Sequence, residues 1–176
     1  RRMCNTAAFW TDRVLPNTAL RQWVLSIPFG IRPLAAARPA VATALGRIFV
    51  ESVFEHYQRL AAIADSRCAA VLSLHRAGDS LNLNPHNHSL MPDGVLYRDA
   101  SSSPPDGGPG PVRFEQTPPP SQPELDRIIT RIRDRAVGWL RRRGYLDERE
   151  REERSNELPE QSAPASTHVR LPLWTL

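Results

Sequence analysis

Two histidines separated by a single residue, His86 and His88, are the part of this sequence best suited to chemistry. They stand in a run from Leu81 to Val95 that reads Leu-Asn-Leu-Asn-Pro-His-Asn-His-Ser-Leu-Met-Pro-Asp-Gly-Val. Side chains alternate faces along an extended chain, so His86 and His88 point the same way, roughly 6.6 Å apart along the backbone. Both imidazoles can then lean onto one metal ion, with further ligands coming from elsewhere. The same spacing also describes two surface histidines beside a turn. Pro85 suits the first position of a strand, where no ladder donor is needed. Asp93-Gly94 reads as a turn and Val95-Leu96-Tyr97 as a second apolar run, which predicts a hairpin.

Elements elsewhere in the chain have to position this pair. Arg21 to Pro28 (Arg-Gln-Trp-Val-Leu-Ser-Ile-Pro) is rich in apolar and β-branched residues and stops at proline, which predicts a strand. From about Pro39 to Ala64 the apolar positions Val41, Leu45, Ile48, Phe49, Val53 and Leu60 fall near one face of a helix. His56 and Tyr57 lie on that helix, His56 being read as a boundary residue. Cys68 to Leu74 predicts a second strand, with His75 to Asp79 as the turn after it. His75 is thus read as a turn residue, with a third metal ligand as the alternative. Ala100 to Pro111 is a Pro/Gly/Ser-rich loop by composition, and Val112-Arg113-Phe114 a short edge strand.

A second long helix is predicted after Thr117-Pro118-Pro119-Pro120. Ser121 lies three residues before Glu124, Pro123 falls in the first turn, and Gly144 suits the end. Leu125, Ile128, Ile129, Ile132, Ala136 and Leu140 keep the helical spacing. Arg127, Arg131, Arg135, Arg141, Arg142 and Arg143 line its polar side. They read either as a solvated face or as a surface for backbone phosphates. Residues 1–20 mix polar and aromatic positions, with Phe9 and Trp10 expected to dock on the strand and helices that come after them. Residues 145–176 are charged and then polar, the composition of a poorly ordered tail. The resulting fold class is α+β: a small central antiparallel sheet carrying the histidine strand, packed with two main helices.

Composition narrows the partners. The chain has 176 residues and a formal net charge of +4, and every basic residue is Arg. Residues 1–88 hold ten Arg against five acids, and residues 89–176 thirteen against fourteen. The positive excess lies in the half leading into the histidine pair, which is compatible with a phosphate-bearing partner. Cys4 and Cys68 are far apart with no C-x-x-C, which fits a reduced, cytoplasmic protein and excludes a disulfide framework. No apolar run is long enough for a membrane helix.

In order along the chain, Arg21-Gln22-Trp23-Val24-Leu25-Ser26-Ile27-Pro28, then Leu81-Asn82-Leu83-Asn84-x-His86-x-His88, then Asp93-Gly94-Val95 resemble the core of the HUH transposases. The closer resemblance is to the two-tyrosine, rolling-circle insertion-sequence transposases of bacteria. It runs from about Arg1 to Gly144, and the basic helix ending in Arg141-Arg142-Arg143-Gly144 fits the same family. The resemblance implies that His86 and His88 bind a divalent ion, Mg²⁺ or Mn²⁺, which holds the scissile phosphate of single-stranded DNA at insertion-sequence ends. In the family a tyrosine on a downstream helix then attacks that phosphate and becomes joined to the 5′ end.

Four positions depart from the family pattern. Asn87 replaces a bulky apolar residue between the histidines, and His75 stands where the family usually has Gln. None of Tyr57, Tyr97 and Tyr145 matches the family's tyrosine motif. The family's cysteine-rich zinc-binding region precedes the position that Arg1-Arg2-Met3 occupies here. The expectation is therefore the middle piece of such a transposase, residues 21–144, with metal strand present and nucleophile absent. The alternative is a non-catalytic remnant that only binds single-stranded DNA.

Overall fold

The computed structural model describes residues 18–77, 83–102 and 108–146. Strand β1 (Leu20–Ser26) alternates buried and exposed positions and leads through a single 3-10 turn into the short helix α1 (Arg32–Ala37). Helix α2 (Pro39–Ala61) opens on proline, whose missing N–H costs nothing in a first turn. Strands β2 (Val71–Ala77) and β3 (Leu83–Pro92) follow, then β4 (Gly94–Arg98), β5 (Val112–Gln116) and helix α3 (Gln122–Arg142). These are mixed helices and antiparallel strands, an α+β fold as the residue pattern implies.

Strand β3 is the centre of a three-stranded antiparallel sheet in the order β1-β3-β2. Its burial alternates strictly from Asn84 to Met91. Pro85, Asn87, Ser89 and Met91 face inward, and Asn84, His86, His88 and Leu90 face outward. Helix α2 covers the inner face. Its buried residues Val41, Leu45, Ile48, Phe49, Val53 and Tyr57 pack with Trp23, Ile27 and Met91 in one core. At Gly46 the helix lies close to the sheet, since an added Cβ would sit 2.9 Å from Leu72 Cδ2 and 3.3 Å from the Asn87 side-chain oxygen. His56 is wholly buried on this helix, so its expected boundary position is corrected.

The hairpin expected at Asp93-Gly94 does not form. Strand β4 pairs with β5 in a separate two-stranded sheet. Asp93 is the reason, because it is fixed from both sides. Its N–H donates to the Ala19 carbonyl at 2.8 Å, and its own carbonyl accepts from the Thr117 N–H at 2.9 Å. Its carboxylate pairs with buried Arg21 and accepts the Tyr57 hydroxyl at 3.1 Å. The chain therefore passes from one sheet to the other instead of folding back. At Gly94 a side chain would collide with the Glu115 carbonyl, so the close β4–β5 approach needs glycine there.

Helix α3 begins where expected: the Glu124 carboxylate accepts the Ser121 N–H at 2.7 Å. It ends with Gly144 at φ +70°, a left-handed conformation natural to glycine. Its apolar stripe, Ile128, Ile132, Ala136 and Leu140, packs on α2. Towards β1 it stands off, leaving an apolar groove of about 450 Å³ lined by Trp23, Leu25, Ile27, Ile129, Ile132 and Leu140, among others. Tyr145 and Leu146 pack against the core, so the first two positions of the expected tail belong to the folded unit. The rest of that tail, residues 147–176, lies outside the described residues, as do Cys4, Phe9 and Trp10.

Candidate metal centre

The outward face of the sheet can be read from its register. Val24, His88 and Ser73 lie side by side in one row, and Ser26, His86 and His75 in the next. The expectation that His86 and His88 share a face is met, with ring centroids 4.9 Å apart. The second strand runs past Leu74 to Ala77, so His75 belongs to the ladder. This corrects its reading as a turn residue. Its ring centroid is 5.2 Å from that of His86 and 4.5 Å from that of His88.

One ring nitrogen from each of His75, His86 and His88 lies within 4.8 Å of the others, and the three can hold a metal ion. Nitrogens bound to a common transition ion at 2.0–2.1 Å in tetrahedral geometry are about 3.3 Å apart. Ring rotation would have to bring the nitrogens closer by that difference. His86 and His88 are half-buried, while His75 is exposed on the outer strand.

Neighbouring groups orient two of the rings. His86 Nδ1 lies 2.7 Å from the Asn84 carbonyl, which can only accept, so this nitrogen carries the proton and Nε2 keeps its lone pair. His88 Nδ1 lies 2.7 Å from the Gln22 side-chain nitrogen. A half-turn of that amide presents its oxygen instead, which puts the proton on Nδ1 and leaves Nε2 free for an ion. Burial first, then the His75 and His86 rings, hold His88 below the ordinary imidazole pKa. Neutral imidazole is the ligating form.

Behind the histidines, Asn87 is 1% exposed, and its side-chain nitrogen has no hydrogen-bond partner among the described residues. The amide therefore occupies the inward position that alternation assigns to it, unsatisfied on the donor side.

The six arginines expected on the polar side of α3 and its end divide into two groups. Arg131 and Arg135 both bind Glu55 of α2, at 2.9 and 2.5 Å, and so brace the two helices. Arg127, Arg141, Arg142 and Arg143 are exposed. Near the helix end the Arg143 guanidinium lies 5.7 Å from the Trp139 ring centre, and the Tyr145 ring stacks on Trp139 at 6.0 Å. Trp139 and Tyr145 are both half-buried.

Of the three tyrosines, Tyr57 is wholly buried. Its hydroxyl accepts the Trp23 indole N–H at 3.0 Å and donates to Asp93. Burial pushes the phenol far above the ordinary tyrosine range, which makes it a poor nucleophile. Tyr97 is half-buried on β4. The residues that periodicity alone does not place in the site are His75 and Gln22. Both depend on strand register, which no local pattern specifies.

Comparison of the chain with protein-family models, curated proteins and solved structures finds no match. Among the described residues no helix is long and apolar enough to cross a membrane.

Proposed function

We propose that this chain is a transposase-type protein that holds single-stranded DNA through a divalent metal ion on its three-histidine face. The observation that carries this reading is the convergence of His75, His86 and His88 on the outward face of the central strand and its neighbour. A cation bound there would neutralise charge on a phosphodiester oxygen and align the phosphorus for in-line displacement. His86 and His88, oriented by Asn84 and Gln22, are the anchored ligands. The exposed arginines Arg127 and Arg141–Arg143 supply sequence-independent attraction to the phosphate backbone. Trp139 and Tyr145 offer half-buried aromatic rings beside them, a feature of single-strand binding surfaces.

In the family that the sequence resembles, the reaction is nicking and strand transfer at insertion-sequence ends, with tyrosine as nucleophile. On this reading the described residues would supply the metal-holding and DNA-holding parts of that activity. The second reading, a protein that binds single-stranded DNA without cutting it, is favoured by the burial of Tyr57 and the stacking of Tyr145 on Trp139. A labelled pool of single-stranded DNA incubated with Mn²⁺ or Mg²⁺ separates the two. A covalent adduct that vanishes in the His86→Ala, His88→Ala double variant supports the transferase. Metal-dependent binding without an adduct supports the second reading. DNA binding that ignores both metal and the double variant would overturn the proposal.

A further inference from the structure

The outward face of the sheet carries Gln22, Val24 and Ser26 from β1, Asn84, His86, His88 and Leu90 from β3, and Val71, Ser73 and His75 from β2. None of these is an acid. Among the described residues no carboxylate joins the histidine cluster either. The donor set is three imidazoles, with amide and hydroxyl groups around them.

That composition discriminates strongly between ions. Mg²⁺ requires oxygen ligands in near-octahedral geometry and is normally held through carboxylates, which none of the described residues of this face supplies. Imidazole nitrogen favours the later divalent transition ions, and affinity for such sites rises from Mn²⁺ through Co²⁺ towards Cu²⁺, with Zn²⁺ well above Mn²⁺. Three histidines and an open fourth position form a donor set that suits Zn²⁺ in particular. The third histidine decides the matter, because two imidazoles alone leave most of the coordination sphere to water and phosphate.

We infer that His75 completes a three-imidazole centre selective for a zinc-class ion, Zn²⁺ or Co²⁺, over Mg²⁺ and Mn²⁺. The inference rests on the metal-site reading above and specifies its ion. It departs from the expectation of Mg²⁺ or Mn²⁺, which suits a site with fewer nitrogen donors. It also defines the ligand for the open position. Three neutral donors leave the ion's double positive charge uncompensated, so an anionic oxygen is favoured there, as in a phosphodiester. Exposure of His75 leaves that side of the centre accessible.

The test is direct metal binding to the whole chain, independent of any DNA reaction. Co²⁺ is titrated in and followed by its visible absorption, then displaced by Zn²⁺, Mn²⁺ or Mg²⁺. The wild-type chain should take up one Co²⁺ with the intense bands of low coordination. Zn²⁺ should displace it at concentrations on the order of 100-fold lower than Mn²⁺, and millimolar Mg²⁺ should not displace it. His75→Gln, with its fold verified by circular dichroism, should weaken Zn²⁺ binding by about 10-fold or more and narrow the gap to Mn²⁺. Displacement by Mg²⁺ as readily as by Zn²⁺, or unchanged Zn²⁺ affinity in His75→Gln, overturns the inference. If His86→Ala, His88→Ala abolishes uptake while His75→Gln leaves Zn²⁺ affinity unchanged, only the role of His75 fails. If the double variant also binds Zn²⁺ as the wild type does, the metal-site reading itself fails.

Discussion

His75 and His86 stand opposite each other across the β2–β3 ladder, in the same row of side chains as Ser26 of β1. Their ring centroids are 5.2 Å apart, and His88 completes the group from the next row. The three-histidine face is therefore a property of strand register. A slip of one residue in the β2–β3 pairing would turn a ligand towards the core, and one in the β1–β3 pairing would turn Gln22 away from His88.

Gln22 should matter to metal affinity although it offers no ligand in this arrangement. Its side-chain amide holds His88 Nδ1, and partners of this kind fix the tautomer of a ligating imidazole. Gln22→Leu is expected to weaken Zn²⁺ or Co²⁺ binding about 10-fold. Gln22→Glu, whose carboxylate can only accept from Nδ1–H, should strengthen it. Calorimetric titration of the two variants checks both directions, and equal affinity for both would remove Gln22 from the site.

The Arg21–Asp93 pair is buried and joined by Tyr57 and Trp23. Asp93→Ala leaves the guanidinium without its counter-charge and should cost ~3–5 kcal/mol. Tyr57→Phe keeps the ring but leaves the Trp23 N–H without its acceptor and takes one of two donors from Asp93 Oδ1, which keeps Arg21 Nε, at a cost of about 1–3 kcal/mol. Urea unfolding of both variants measures these losses. A cost for Asp93→Ala below that of Tyr57→Phe would mean that the pair is not held as described.

Stability should depend on pH through His56. Burial, together with Arg59, Arg127 and Arg21, lowers its pKa against the opposing effect of Glu124. A lowered native pKa means that the unfolded chain takes up a proton first as pH falls below about 6.5. Stability should therefore rise between about pH 5 and pH 7. His56→Phe, which also removes a buried nitrogen without a partner among the described residues, should show a shallower rise. Urea midpoints at the two pH values give the comparison, and an unchanged slope in the variant would exclude His56 as a contributor.

The arginines of α3 should differ in their effect on DNA binding. Arg141→Ala, Arg142→Ala and Arg143→Ala together remove three exposed charges. They should reduce the salt dependence of single-strand binding by roughly 2 in the log–log slope. Arg131→Ala, Arg135→Ala should change that slope less and lower stability instead, because both residues are engaged with Glu55. Anisotropy titrations over a range of salt concentrations resolve the two cases. Equal slopes for the two variants would refute this division.

Local pattern is sufficient for β1, β3 and both long helices. Alternation from Asn84 to Met91 and the spacing from Leu125 to Leu140 each report one buried face. It is not sufficient for His75, because Ser73, His75 and Ala77 are all exposed on an outer strand and leave no apolar period to follow. The hairpin expected at Asp93-Gly94 fails for a related reason. An Asp-Gly pair is a strong turn signal, but here the aspartate is bound to Arg21 and Tyr57, both distant in sequence. Asn87 obeys strand alternation in position and violates it in chemistry.

All three candidate ligands lie on β2 and β3, which follow one another in the chain, whereas β1 is separated from β3 by helices α1 and α2. Pairing across a short connection loses less loop entropy and forms earlier than pairing between distant segments. The nascent β2–β3 hairpin can thus present its histidines to an ion before β1 has docked and before Gln22 is in place. Metal uptake would then act on the folding rate as well as on the finished protein, drawing the hairpin together as a nucleus onto which the rest of the sheet assembles.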